Sequence, residues 1–136
     1  MNEEFNRDDT SDGMQQMDER RFERIKTAFE RRGGMIISSP DIDRRLNNVG
    51  AEASTLNQST ILLKSGRIPS ASAMFEELIH SAQYRTGRAT GDNWVDMEIE
   101  AKAMLIRNQI AYGITDEEHR ITLMQLEELR RMKGGV

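Results

Sequence analysis

STILLKSGRIPSASAMFEELIHSAQYR, residues 59–85, decides how this chain is read. It opens with Thr, Ile and Leu, residues that suit a short strand, and Gly66 punctuates the end of that run. Ser70 or Ser72 then offers an N-cap for a helix, and Gly87 lies just past its end. On a helix, Met74, Phe75, Leu78, Ile79 and Ala82 share one side. Glu76, His80 and Gln83 share the other, because positions i, i+4 and i+7 line up. Taken alone, such a polar side is the ordinary solvated face of an amphipathic helix.

Working upstream, EASTLN lies next to STILLKS, separated by little more than Gln58, so the two form a hairpin or two strands of a small sheet. MIIS predicts a further short strand. Between them, SSPDIDRRL predicts a brief helix with Ser39 as cap and Pro40 at its first position. Met17, Phe22, Ile25 and Phe29 recur at helical spacing in MQQMDERRFERIKTAFERR, which predicts a helix from Met14 that stops at Gly33-Gly34. Residues 1–13 are acidic, polar and end in Gly, and predict a flexible lead-in. Downstream, RATGDN predicts a loop and WVDMEIEAKAMLIRNQIAYG a single helix closed by Gly113. Thr115 and Glu118 fit a capping box that starts a last helix through HRITLMQLEELRRM. Residues 14–136 therefore read as one α+β domain, mostly helical, with a small sheet or hairpin.

Composition narrows the chemistry. The 136 residues carry 31% charged and 37% apolar side chains and a net charge of −4, with acids and bases interspersed. That argues against a broad basic surface for nucleic acid. There is no cysteine, so a metal would depend on His and carboxylate ligands. No apolar run approaches the roughly 18 residues of a spanning helix, and the N-terminus lacks a signal-peptide core. The expectation is a cytoplasmic protein, or one exported without a classical signal peptide.

The fourth helix raises the interest of the third. Val95, Ile99, Ala103, Ile106 and Ile110 form one stripe, and Met97, Ala101, Met104 and Leu105 fill much of the other side. A helix apolar on two faces tends to lie centrally, yet this one carries Glu98 and Glu100 on opposite flanks. Carboxylates there need a cation, a donor or a metal. Lys102 is an i+4 partner for Glu98, and Arg107 lies two turns from Glu100.

With both helices in view, the chain resembles the zincin metallopeptidases of the type that uses Glu as third ligand. Glu76-Glu77-Leu78-Ile79-His80 is one residue from the pattern H-E-x-x-H, and Glu100-Ala101 follows twenty positions after His80. EELIHSAQ and EIEAKAMLI are similar to helices of small bacterial zincin-like domains, including toxin-associated ones. The resemblance covers about residues 52–110. It implies a divalent-metal hydrolase with Glu77 activating a metal-bound water, and with Glu76, His80 and Glu100 as metal ligands. Zinc is the first expectation, and manganese or iron are compatible with so anionic a ligand set. Glu76 stands where the family has His, so the resemblance equally implies a metal-free scaffold that retains the shape and binds a peptide or protein partner. His119, the other histidine, is a substitute ligand or an exposed residue.

Two alternatives use the same residues differently. Glu77-x-x-His80 is also the spacing of di-iron carboxylate bundles, whose second copy would have to be Asp116-x-x-His119. The last helix, with Ile121, Leu123, Met124, Leu126 and Leu129, carries more apolar residues than one seam needs, and could pack internally or form a homodimer. The basic run YRTGR after His80 reads as a solvated helix end.

Overall fold

The structure is a computed structural model and describes residues 14–134. The expected lead-in, residues 1–13, lies outside the described residues. The elements run α1 (Glu19–Arg31), β1 (Met35–Ile37), α2 (Pro40–Val49), β2 (Ala53–Asn57), β3 (Thr60–Leu63), α3 (Ala71–Arg85), α4 (Trp94–Arg107), α5 (Gln109–Tyr112) and α6 (Asp116–Gly134). This is the mostly helical α+β fold that the sequence predicts, and among the described residues no helix is long and apolar enough to cross a membrane.

The sheet is built around β3, in the order β1-β3-β2. β2 and β3 form the expected antiparallel hairpin, with Ala53 opposite Leu63. β1 joins the other side of β3 in parallel, with Ile36 opposite Ile61. Ile61, Leu62 and Leu63 are all buried, the pattern of a strand covered on both faces. Ile61 and Leu63 join the main core with Phe22, Phe29, Met74, Ile79 and Leu105. Leu62 alternates to the other face, and α2 packs on β3 with its buried Leu46. α3 lies against β2 and β3, α4 packs on α3, and α6 on α4.

Local chemistry explains where most elements begin. Ser39 caps α2 by accepting from Ile42 N–H at 3.1 Å, with Pro40 at the first helical position. Ser70 caps α3 by accepting from Ala73 N–H at 3.2 Å. Gly50 ends α2 at φ +68°, in the left-handed region that glycine enters without a Cβ clash. Gly34 is required for packing, since a Cβ there would lie 2.5 Å from the Phe29 ring.

Three expectations are corrected. The first helix starts at Glu19 rather than Met14, because the Asp18 carboxylate caps it by accepting from Arg21 N–H at 3.0 Å. Just ahead of Asp18, Met17 N–H donates to Pro69 O and Gln16 forms an antiparallel β-bridge with Ser70. The expected fourth helix is two helices. At Asn108 the side-chain amide donates to Met104 O at 2.8 Å, and the chain leaves α4 to start α5. That break returns Tyr112 to the Phe75 ring, stacked at 4.1 Å between centroids, and leaves Ile110 90% exposed instead of in an apolar stripe. Thirdly, the polar side of α3 is not a solvated face, because β2 and α4 cover it.

Candidate metal centre

α3 and α4 come together with their charged residues facing. From α3, Glu76 and His80 lie one turn apart, and from α4, Glu98 and Lys102 do the same. The pairs cross. Lys102 Nζ donates to Glu76 Oε1 at 2.9 Å, while His80 Nε2 lies 3.2 Å from Glu98 Oε2 and 3.6 Å from Glu76 Oε2. One ligand atom each from Glu76, His80 and Glu98 falls within 4.8 Å of the others. Ligand atoms about 2.1 Å from a tetrahedral ion stand roughly 3.4 Å from one another, so this spacing can hold a metal ion.

The three side chains line a cleft of about 860 Å³, together with Thr55 of β2, Tyr84 of α3, Trp94 of α4 and Met124 of α6. Beside them is Glu77, a buried carboxylate whose Oε1 accepts from the Thr55 hydroxyl at 2.7 Å. Burial pushes the Glu77 carboxyl up to about 7, reinforced by the charge on Glu76 and opposed by His80 and the Thr55 hydroxyl. Burial would also raise Glu76, but Lys102 and His80 overcome it and hold that carboxyl at about 2. His80 shows the reverse balance. Burial disfavours its charge, yet Glu76 and Glu98 raise it to about 11, so the metal-free imidazole is protonated at neutral pH. Lys102 is raised as well, with Glu76 outweighing burial.

The far side of the imidazole is also held. His80 Nδ1 is 2.8 Å from Gln83 Oε1, and Gln83 Nε2 donates to Glu100 Oε1 at 2.7 Å and to Met97 O at 3.0 Å. Glu100 in turn accepts from Arg88.

Of the residues the sequence singles out, Glu76, Glu77 and His80 line the cleft together. Glu100, the expected third ligand, does not join the cluster. It is occupied by Gln83 and Arg88, and Glu98 takes its place beside His80. The YRTGR run is accordingly not simply solvated, since Arg88 reaches α4. Lys102 pairs across to Glu76 rather than along its own helix to Glu98. His119 is half-buried at the start of α6 and does not line the cleft. Asp116 accepts from Gln109 Nε2, so the second motif needed for a di-iron centre does not reach the cluster. Thr55 carried no signal as a site residue in the sequence and Lys102 only that of a partner for Glu98 on its own helix, since each acts through a neighbour on another element. Comparison with protein-family models, curated proteins and solved structures finds no match to this chain in any of the three.

Proposed function

We propose that the cleft is a divalent-metal hydrolase centre of zincin-like type, acting on a peptide or protein substrate. Glu76, His80 and Glu98 are its ligands and Glu77 its general base. The observation that supports this reading is the convergence of two carboxylate oxygens and His80 Nε2 beside a buried carboxyl raised to about 7. From that position the Glu77 carboxyl can take a proton from water and return it to a leaving amine. A bound metal supplies Lewis-acid polarisation of the substrate carbonyl and activation of water. Zinc suits a site of one imidazole and two carboxylates, and manganese or iron are the hard-ligand alternatives.

One observation favours a second reading. The Lys102 ammonium already sits on Glu76, and a protonated His80 bridges Glu76 and Glu98, so the cluster can close on itself without metal. In that case the domain is an inactive zincin-like scaffold whose cleft binds a protein partner.

Zinc affinity separates the two. Wild-type protein is expected to bind one equivalent, His80→Ala and Glu98→Ala to lose it, and Glu100→Ala to be weakened only about tenfold. Cleavage of an unfolded protein substrate should follow metal occupancy. A folded wild-type protein that takes up no zinc, manganese or iron overturns the hydrolase and leaves the scaffold.

A further inference from the structure

Gln83 is a deeply buried polar side chain next to the cluster that neither binds metal nor acts as a base in the proposed chemistry. It is 2% exposed, and every polar atom of its amide is engaged. The orientation of that amide follows from its partners. Met97 O and Glu100 Oε1 are both acceptors, so the nitrogen must face them and the oxygen must face His80. An amide oxygen can only accept, so Nδ1 of His80 must carry hydrogen and donate to it. That leaves Nε2, the nitrogen that faces Glu76 and Glu98, as the one whose proton a metal would displace.

From this geometry we infer that Gln83 is a positioning residue that fixes the ring orientation of His80 and keeps a hydrogen on its Nδ1, and that Glu100 and Arg88 hold Gln83 in place. The inference rests on the metal-centre reading for its functional consequence, but the hydrogen bond it requires exists with or without metal. The chain runs Arg88 to Glu100, Glu100 to Gln83, and Gln83 to His80, so it crosses from the loop after α3 to α4 and back. It also gives Glu100 a role that explains a carboxylate on an apolar helix without making it a ligand. A hydrogen-bond acceptor behind a metal-binding imidazole increases its basicity and removes the alternative ring orientations, and losing one typically costs 10- to 100-fold in metal affinity.

The test uses full-length protein with 15N-labelled histidine, His119→Asn serving to assign the two rings. In metal-free wild type the His80 Nδ1–H should be visible and slow to exchange with water. Gln83→Met keeps the side-chain length but accepts no such bond, and should lose that signal. Its zinc affinity should fall about 10- to 100-fold. Gln83→Glu restores an acceptor, and paired with Glu100→Gln, which removes the facing charge, it should recover the Nδ1–H signal and most of the affinity. This double exchange also serves if Gln83→Met fails to fold. An unchanged Nδ1–H signal in folded Gln83→Met, or a double exchange that folds without that signal, overturns the inference. If wild type binds no zinc while the signal depends on Gln83, the positioning stands and the metal reading falls.

Discussion

Carboxylates meet α3 in two places, and the protein treats them differently. At its N-terminal end, Glu52 accepts from the Ser70 N–H at 3.0 Å and the Ser70 hydroxyl at 2.9 Å. Glu118 accepts from the Ser72 N–H and the Thr115 hydroxyl, both at 2.9 Å, and is 2% exposed. These acids meet the free N–H groups of a helix start, and their charge is used to hold α3 to the β2 entry and to α6. About a turn further on, Glu76, Glu77 and Glu98 gather near one another, with one ammonium, one imidazole and a single hydroxyl between them. The contrast teaches that burial alone does not mark a functional carboxylate. What distinguishes the second group is that its acids face each other and not backbone donors.

The sharpest way to break this comparison is pH. In the metal-free protein, folded Glu77 keeps a proton that the unfolded chain releases above 4.5, up to about 7, and folded His80 keeps one from 6.5 up to about 11. The folded state binds more protons in both windows, so stability falls as pH rises through them. Glu76 acts in the opposite direction. Held at about 2, it stays ionised when the unfolded carboxyl takes a proton, and its contribution is lost as pH falls from 4.5. Thermal and denaturant unfolding should therefore show a maximum near about pH 5 and a loss on the order of 5 kcal/mol towards about pH 10. A flat profile would overturn the account of the cluster as a set of coupled, shifted groups.

Next in size is Lys102→Met, which leaves the half-buried Glu76 without its ammonium partner. Denaturant titration of the metal-free variant should show a loss of about 3 kcal/mol. Zinc should bind the same variant more tightly than wild type, since no ammonium competes for Glu76. Tighter binding separates a metal centre from a closed ion-pair cluster.

Glu118→Ala tests the other end. It strips an acceptor from Ser72 N–H and breaks the link between α3 and α6, and should cost about 2 kcal/mol in the same titration. Zinc affinity of the folded variant should not change. Smallest is Thr55→Val, which removes the hydroxyl on Glu77 and should cost about 1 kcal/mol. That hydroxyl lowers the Glu77 carboxyl. The acid limb of any hydrolytic pH profile should consequently move to higher pH.

The readings that held are those carried by adjacent residues. Ser39 with Pro40, the Ser70 cap, the β2–β3 hairpin and the placing of Glu76, His80 and Gln83 on one side of α3 all follow from short-range chemistry. The choice between Glu98 and Glu100 did not. Positions two residues apart on a helix differ by about 200°, so Glu98 and Glu100 cannot both face His80, and the rotation of α4 decides which does. A helix apolar on both sides gives no periodicity from which to read that rotation. It is set instead by burial of Ala101 and Leu105, which turns Glu98 towards His80 and Glu100 towards Gln83. The break at Asn108 was hidden for a similar reason: helix-compatible spacing continues through it, and a single amide reaching back to Met104 O interrupts it.

The crossed pairs between α3 and α4 have a mechanical consequence. Glu76 meets Lys102 and His80 meets Glu98, each pair of residues one turn apart on its own helix. Slide α4 by one turn, about 5.4 Å, in one direction and Glu76 would face Glu98. Slide it the other way and His80 would face Lys102. Either slip sets like charges against each other in a half-buried seam, which penalises both neighbouring registers at once. The alternating charges thus work as a ratchet tooth between two helices whose apolar sides alone would permit sliding. The same four side chains that gather at the cleft also keep the two helices in register.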